Sequence, residues 1–297
     1  THCQFCAFKG DDWRTLDSGA EEIAKYVNTH SHATLDMGQV IFTDTTTMTA
    51  DGPFQYTLYE LSGNKWVNHD VETETSAGIV PFRYRRKSYV HAIQWSIGLE
   101  LALLIKDPWK IFMTTDHPNG GPFTSYPRII AWFISRKARE ATLKKINPRA
   151  RTRSLLPSID RELSFFEIAV MTRAGQAKAL GLKSKGHLGI GADADIAIYN
   201  VNPETTDLSR KYKAVRRAFK RAAYTLKDGK IVAKNGEILR HVEGATMWLN
   251  VQASESVKIT DEMKRRFSEY WTVEYENYPV AENYLEVSRP IAVRADV

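Results

Sequence analysis

Cysteine is scarce in this sequence, whose 297 residues include only Cys3 and Cys6. Two cysteines three positions apart can form at most one short pair. They therefore exclude a disulfide framework and a four-cysteine zinc site. We expect two reduced thiols in a cytoplasmic protein, because disulfides are rare in that compartment.

Long apolar runs are also missing. The longest, Ile97–Ile105, contains Glu100 and is far shorter than the roughly 20 residues that cross a bilayer. No secretory signal is recognisable. Hydrophobic residues make up 43% of the chain and charged residues 26%, which is the balance of a globular protein with its own core. We therefore expect no membrane segment and no extended disorder.

The charge is basic overall and unevenly spread. The net charge is +6, and two basic stretches, 136–153 and 210–234, each contain a single acidic residue. Such stretches attract anionic substrates, acidic partners or nucleic acid, or form a solvated face or a subunit contact. The stretch 136–153 contains no aromatic residue that could stack on a base, and no nucleic-acid motif is present in either. We therefore expect no nucleic-acid partner.

The pattern of apolar residues predicts an α/β portion followed by a small β unit. Helices are predicted over 20–28, 91–106, 127–146 and 164–180, and strands over 32–42 and 110–116. A long polar segment, 43–89, is predicted to be a functional or interface-forming loop. After Asp195, short strands alternate with the hairpin turns Asp228-Gly229 and Asn235-Gly236, so that 189–239 is predicted to form the β unit.

Two residues near predicted strand ends are candidates for chemistry. His2 lies near the end of one such run, and Asp116 ends the β-rich run after Lys110. An imidazole and a carboxylate that meet at strand ends are what a zinc hydrolase uses as ligands and base. Either residue also has a structural alternative, since a single His is commonly structural and a strand-end Asp commonly caps the next helix. We predict that the two side chains lie close together.

Several motifs carry a resemblance to a known family. Residues 185–199 (KGHLGIGADADIAIY) resemble the closing signature of the amidohydrolase superfamily, and 164–182 are similar to the helix that precedes it. More specifically, residues 114–127 (TTDHPNGGPFTSYP) resemble the A subunits of formylmethanofuran dehydrogenases. Three further segments share that resemblance: 47–53 (TMTADGP), 97–108 (IGLELALLIKDP) and 158–162 (SIDRE).

The resemblance implies an α/β fold, the C-terminal portion of an amidohydrolase-type TIM barrel. The chain would begin in strand six, with strand seven over 32–42 and strand eight ending at Asp116. Residues 1–185 would form the partial barrel, 186–250 a small β-sandwich piece and 251–297 a C-terminal extension. We expect the chain to be the C-terminal part of a longer subunit, with a His-x-His pair and a carboxylated lysine in the preceding half.

The resemblance also implies an activity and a site. Family members condense formate with the amine of methanofuran at a dinuclear zinc site, or hydrolyse N-formylmethanofuran in reverse. His2 and Asp116 would be metal ligands, and Asp116 the catalytic base. The candidate substrate-binding residues are His117, Asn119 and Gln39. The implied partners are the other subunits of the complex, including one with a molybdenum or tungsten pterin that reduces carbon dioxide to formate.

Two other functions are compatible with the same residues. One is a stand-alone amidohydrolase of the dihydroorotase type, which the long 43–89 segment and the TTDHPN motif disfavour. The other is a non-catalytic scaffold, which the presence of both His2 and Asp116 disfavours. A His-x-His pair near the start of the full-length sequence would support either enzymatic function.

Overall fold

The computed structural model of the chain describes residues 2–12, 14–49, 78–253, 259–270 and 288–295. The chain divides into two compact units, and the described residues of the first end at Arg240. The described residues of the second begin at His241. Among the described helices, none has the length and apolar character that a membrane crossing requires.

Helices and strands are mixed in the first unit, which confirms the predicted α/β class. Its described α-helices are α1 (Ala20–Thr29), α2 (Tyr89–Leu104), α3 (Tyr126–Ile134), α4 (Arg136–Leu143), α5 (Pro148–Arg153), α6 (Phe165–Ala169), α7 (Gly175–Ala179) and α8 (Tyr212–Ala218). Its described strands are β1 (Phe8–Lys9), β2 (Asp17–Ser18), β3 (Leu35–Asp36), β4 (Asp44–Thr49), β5 (Gly78–Arg83), β6 (Ile111–Phe112), β7 (Ile196–Ile198), β8 (Tyr224–Lys227), β9 (Lys230–Lys234) and β10 (Glu237–Ile238).

The strands that position the candidate site are parallel but shorter than predicted. β3 pairs with β6, and His2 forms an isolated parallel bridge with Asp36 on the other side of β3. The segments that follow β3 and β6 stay in register beyond the regular ladder, because the N–H of Gln39 donates to the carbonyl oxygen of Thr114 (2.8 Å). The ladder ends where Gly38 takes a φ of 59° and its N–H bonds instead to the Thr114 hydroxyl. The predicted spans 32–42 and 110–116 were therefore too long as regular strands.

Helix α2 is the centre of the core. All of its residues except Tyr89 and Leu104 are buried, which confirms the predicted burial on more than one side. Ser88 caps the helix by accepting from the N–H of His91. Glu100 is fully buried within it, accepting bonds from Ser18 (2.5 Å) and Ser154 (2.9 Å). Burial raises the pKa of Glu100, and these donors satisfy its oxygens.

The single helix predicted over 127–146 is wrong, because the chain breaks into α3 and α4. Ser135 is extended, with φ −145° and ψ 114°, and its side chain accepts from the N–H of Ala138 at the start of α4. The Ser135 hydroxyl also donates to the carbonyl oxygen of Ser209 (2.7 Å). The capping box predicted at Ser164 is confirmed, and a π-helical turn, Val170–Ala174, joins α6 to α7.

The predicted β unit forms one antiparallel sheet in the order β10-β9-β8-β7, with α8 between β7 and β8 in sequence. Both predicted hairpin turns are confirmed, and their four residues all have positive φ. The sheet belongs to the same compact unit as β3 and β6. The β-sandwich and the boundary at 185/186 stay predictions.

Within the long polar segment 43–89, the described ends form an antiparallel pair, β4 with β5. Residues 50–77 lie outside the described residues, as does most of the motif 47–53. The second unit contains β11 (Thr246–Ala253), α9 (Ile259–Tyr270) and β12 (Ser288–Ala295), and β11 pairs with β12 in parallel. The predicted boundary at 250/251 falls inside β11.

Candidate metal centre

His2 is held against the end of β3 by close backbone packing. It precedes a 3-10 turn, Cys3–Phe5, and its backbone bridges to Asp36. Gly38 makes this approach possible, because a Cβ on Gly38 would lie 2.9 Å from the Cβ of His2. The positive φ of Gly38 is also a conformation that favours glycine. A larger residue at this position would push His2 away from the strand end.

Asp36 fixes the orientation of the His2 ring. The Asp36 Oδ1 atom lies 2.5 Å from His2 Nδ1 and also accepts from the Thr114 hydroxyl (2.7 Å). Thr114 follows β6, so the carboxylate is fixed between the ends of two adjacent strands. Because a carboxylate accepts, His2 donates its Nδ1–H, and its Nε2 atom points away from Asp36. This is the arrangement by which carboxylates orient metal-binding histidines.

Asp116 approaches the other ring nitrogen of His2. Its Oδ1 atom lies 3.2 Å from His2 Nε2, which confirms the predicted proximity of these two residues. Its Oδ2 atom accepts from the side-chain amide of Asn119 (2.7 Å). The backbone of Asp116 has a φ of 47°, in the left-handed region that non-glycine residues seldom adopt. Such conformations cluster at functional sites, where the surrounding contacts hold them.

The contact between His2 and Asp116 calls for a cation. With the Nδ1–H bonded to Asp36, the Nε2 lone pair faces a carboxylate oxygen, and two acceptors at 3.2 Å need a proton or a metal ion between them. Two ligands of a tetrahedral zinc ion, each at about 2.0–2.2 Å, lie about 3.4 Å apart. Imidazole nitrogen and carboxylate oxygen are both zinc ligands. The side chains of His2 and Asp116 are 41% and 29% exposed, so an ion can reach them.

Of the other predicted site residues, Asn119 is part of this arrangement through its bond to Asp116. His117 is exposed and turns toward Phe123, whose N–H donates to His117 Nδ1 (3.1 Å). Thr45 of β4 donates to the carbonyl oxygens of Pro118 and Asn119 and so anchors the loop after Asp116. His117 and Asn119 therefore lie in a loop that is held in place next to the pair.

Gln39 is placed differently from the other candidates. Its side chain is fully buried, and its amide donates to the carbonyl oxygens of Val40 (2.8 Å) and Trp95 (3.1 Å). A Cβ on Gly98 of α2 would lie 2.4 Å from Gln39 Oε1. The side chain therefore packs into α2, and the structure does not bring it to His2 and Asp116.

Asp36 was missed by the sequence analysis, although a signal was present. It is the only charged residue in the predicted strand 32–42, between the buried residues Leu35 and Met37. A carboxylate inside an otherwise apolar strand needs a partner. The sequence could not identify that partner as His2, which lies more than thirty residues earlier in the chain.

A second group of carboxylates has its own cations. Ligand atoms of Asp193, Asp195 and Asp228 lie within 4.8 Å of one another. Lys185 pairs with Asp193 (2.8 Å) and Asp195 (2.5 Å), and Lys227 pairs with Asp195 (3.3 Å). Although burial acts to raise it, the hydrogen bonds from Lys185, the backbone of Asp228 and Lys227 lower the pKa of Asp195 to about 2. The two lysines compensate two of the three negative charges of this group without a metal ion.

Comparison with known proteins agrees with the chemistry of the site. The profile of the amidohydrolase family matches residues 1–233. The chain belongs to the amidohydrolase family. It is 47% identical to Protein FwdA of Methanocaldococcus jannaschii over 99% of the chain, and 40% identical over 86% to the A subunit of the formyltransferase/hydrolase complex Fhc of Methylorubrum extorquens. The predicted resemblance to these A subunits is confirmed.

A solved structure shows the same likeness in three dimensions. The crystal structure of the formyltransferase/hydrolase complex FhcABCD from Methylorubrum extorquens, bound to methylofuran, contains a chain that matches with a TM-score of 0.81 and 36% identity. The match covers 99% of this chain and 53% of that one. The chain likewise spans about half the length of the two curated relatives, 52% and 46%.

Proposed function

We propose that this chain is part of the zinc-dependent A subunit of a formylmethanofuran dehydrogenase complex. In this proposal it condenses formate with the amine of methanofuran, or hydrolyses N-formylmethanofuran in the reverse direction. The observation that carries the proposal is the contact of His2 with Asp36 on one side and Asp116 on the other, in a chain of the amidohydrolase family.

The donor set fits a zinc ion. His2 Nε2 and Asp116 Oδ1 would be ligands, and Asp36 would hold the ring from outside. When bound, zinc would polarise the formyl oxygen and activate water. The remaining ligands of the proposed dinuclear site would come from the part of the full-length protein that this chain does not include.

The residues of this chain supply the proton transfer. Asp116 would accept a proton when the amide is hydrolysed and return it when formate is condensed with the amine. Its Oδ2 atom is held by Asn119, so Oδ1 keeps a fixed direction toward the site. The hydrogen bond to Asp36 keeps the Nδ1 proton of His2 in place, so His2 acts as a ligand and Asp116 as the base.

The same proposal includes the partners and the location. The relative of known structure belongs to a complex of four kinds of subunit, and we propose equivalent partners for this chain, one of which would supply formate from carbon dioxide. We place the complex in the cytoplasm, where the free thiols of Cys3 and Cys6 would stay reduced. The basic net charge suits a reaction whose substrates carry carboxylates.

The test uses the full-length protein with its partner subunits. Metal is removed with a chelator and zinc is returned, and formate release from N-formylmethanofuran is measured, with dihydroorotate as the comparison substrate. We expect zinc to restore hydrolysis of the formyl amide and dihydroorotate to be left intact. Hydrolysis of dihydroorotate alone would instead support the stand-alone amidohydrolase. If zinc-loaded protein hydrolyses neither substrate, the result would support the non-catalytic scaffold.

A further inference from the structure

A second cavity, which we call the basic cavity, lies between α3, α4 and α8 of the first unit. It has a volume of about 290 Å³ and shares no lining residue with the His2 site. No carboxylate lines it. Five of the side chains that line it are cationic: Arg86, Arg128, Lys145, Lys213 and Arg216.

These five cations differ from several other arginines of the first unit, which have carboxylate partners. Arg136 pairs with Asp160, Arg153 with Asp17 and Arg210 with Asp207. In the described part of the chain, by contrast, no carboxylate lies within ion-pair distance of the five residues that line the basic cavity. Among the residues that the structure describes, no ion pair therefore compensates their charge.

Arg128 is the most strongly affected of the five. Its Nη1 atom is buried and has no hydrogen-bond partner among the described residues. Burial, and then the neighbouring guanidinium groups of Arg216 and Arg86, lower the pKa of Arg128. A buried N–H donor without an acceptor is destabilising, and a second and third cation nearby add to the cost. A bound anion would relieve both effects.

We propose that the basic cavity binds a phosphate group, either as inorganic phosphate or as a phosphate monoester. A phosphate dianion offers several acceptor oxygens to donors that converge from different sides, and arginine pairs with it through two parallel hydrogen bonds. A single carboxylate would balance only one of five charges. Two aromatic side chains, Trp132 and Tyr212, also line the cavity and could contact the organic part of an ester.

The first test compares two neighbouring arginines of α8. Arg216 lines the basic cavity, whereas Arg217 is exposed and does not. Binding of inorganic phosphate to the full-length protein is measured by calorimetry at constant ionic strength. We expect Arg216→Gln to raise the Kd at least about tenfold, the effect of losing one charged hydrogen bond. Arg217→Gln should stay within about twofold. Equal effects of the two substitutions, or no phosphate binding by the parent, would overturn the proposal.

The second test separates binding from a structural role of Arg128. In chloride buffer, Arg128→Gln removes a buried like charge and should melt no lower than the parent. In phosphate buffer of equal ionic strength, the parent should rise by roughly 3 °C and the variant should not. The melting temperature of the parent relative to that of Arg128→Gln would therefore be higher in phosphate buffer than in chloride buffer. A loss of the same size in both buffers would mean that Arg128 is only structural, and the proposal would fail.

The third test distinguishes the sources of the anion. Inorganic phosphate, phenyl phosphate and tetraglutamate are titrated into the parent and Arg216→Gln. Tighter binding of phenyl phosphate than of phosphate would assign a phosphate monoester, with the aromatic side chains contributing. Similar affinities would assign inorganic phosphate. Tetraglutamate binding more tightly than both, with the same dependence on Arg216, would assign an acidic peptide instead and overturn the phosphate assignment.

Discussion

Two groups of carboxylates in the first unit differ in what neutralises them. At the strand ends, Asp36 and Asp116 both turn toward one imidazole, that of His2, and no lysine or arginine pairs with either among the described residues. In the β unit, Asp193 and Asp195 share the ammonium group of Lys185. Both groups have the oxygen atoms that a metal ion would use, but only in the second do lysine ammonium groups already pair with them.

Close carboxylates alone therefore do not identify a metal site. Three acidic residues within 4.8 Å of one another form an ion-pair network when lysines are interleaved with them. A carboxylate–histidine–carboxylate chain has a different chemistry, since its middle member can offer a lone pair to a cation. Substitutions confined to one group or the other should separate these two kinds of chemistry.

The largest effect is expected at Asp116. Asp116→Asn keeps the size of the side chain and one oxygen ligand but removes the base. Formyl transfer by the full-length protein should fall by about 10²–10⁴-fold, the range of positioned acid–base catalysis, while zinc content falls much less. The measurement is hydrolysis of N-formylmethanofuran with metal analysis of the same sample.

Asp107 provides a matched control for that substitution. It precedes β6, whereas Asp116 follows it, and its side chain caps the turn Pro108–Lys110, a role that asparagine also fills. Asp107→Asn should therefore retain activity. Activity of Asp116→Asn within about threefold of the parent would exclude Asp116 as the base, because a general base is not dispensable at that level.

The next effect is expected at Asp36. Asp36→Asn keeps an acceptor for the Nδ1–H of His2 but loses the negative charge that makes the ring a better ligand. Substitutions of such supporting residues weaken metal binding by about 10–100-fold. Zinc affinity is measured by competition with a chelator. Asp44→Asn, which alters an exposed ion pair with Arg83, is the control and should bind zinc as the parent does.

Zinc affinity of Asp36→Asn within about threefold of the parent would show that Asp36 does not support the ring. That result would leave the role of Asp116 untouched, so the two substitutions test separate parts of the site. A fall in activity without a fall in zinc affinity would move Asp36 from metal binding to the orientation of the proton-transfer step.

Local signals explain what the sequence predicted well. The Asp-Gly and Asn-Gly turns and the capping box at Ser164 depend on a few adjacent residues, and all three are confirmed. The proximity of His2 and Asp116 followed from a rule about where parallel strands end, which also requires little knowledge of the rest of the chain.

Contacts between distant segments explain the features that the sequence analysis did not predict. The break at Ser135 depends on the carbonyl oxygen of Ser209, and the role of Asp36 depends on the register that sets it beside His2. Gln39 is polar and near the site in sequence, but the small size of Gly98 leaves a space in which its side chain is buried. None of these partners can be chosen from the sequence, because each requires the packing of two or three elements at once.

A smaller effect is expected when the network of the β unit loses its central cation. Lys185→Met keeps the aliphatic stem but leaves Asp193 and Asp195 without their shared ammonium. The free energy of unfolding should fall by about 2 kcal/mol, because each carboxylate loses a charged hydrogen bond to Lys185. Zinc content and formyl transfer should not change. Lys183→Met is the control, since Lys183 is exposed and outside the network.

The smallest effect is the pH dependence contributed by Asp195. Its pKa in the folded protein is about 2, below its ordinary value of 3.8, so the folded state favours the charged form. Its contribution to stability is therefore fully present above about pH 5 and is lost as the pH falls through 4 toward 2. Because its side chain is 31% exposed, solvent screening reduces this contribution to about 1 kcal/mol.

Chemical denaturation of the parent and Asp195→Asn at a series of pH values measures this contribution. The difference in the free energy of unfolding should be about 1 kcal/mol near pH 6 and should be mostly lost near pH 2, where about half of the parent carboxyl is protonated. Asp11→Asn, at an exposed position outside the network, should show no such difference. A gap between parent and Asp195→Asn that persists unchanged to pH 2 would mean that Asp195 acts through packing or hydrogen bonding. The lysines would then not be what distinguishes this network from the His2 site.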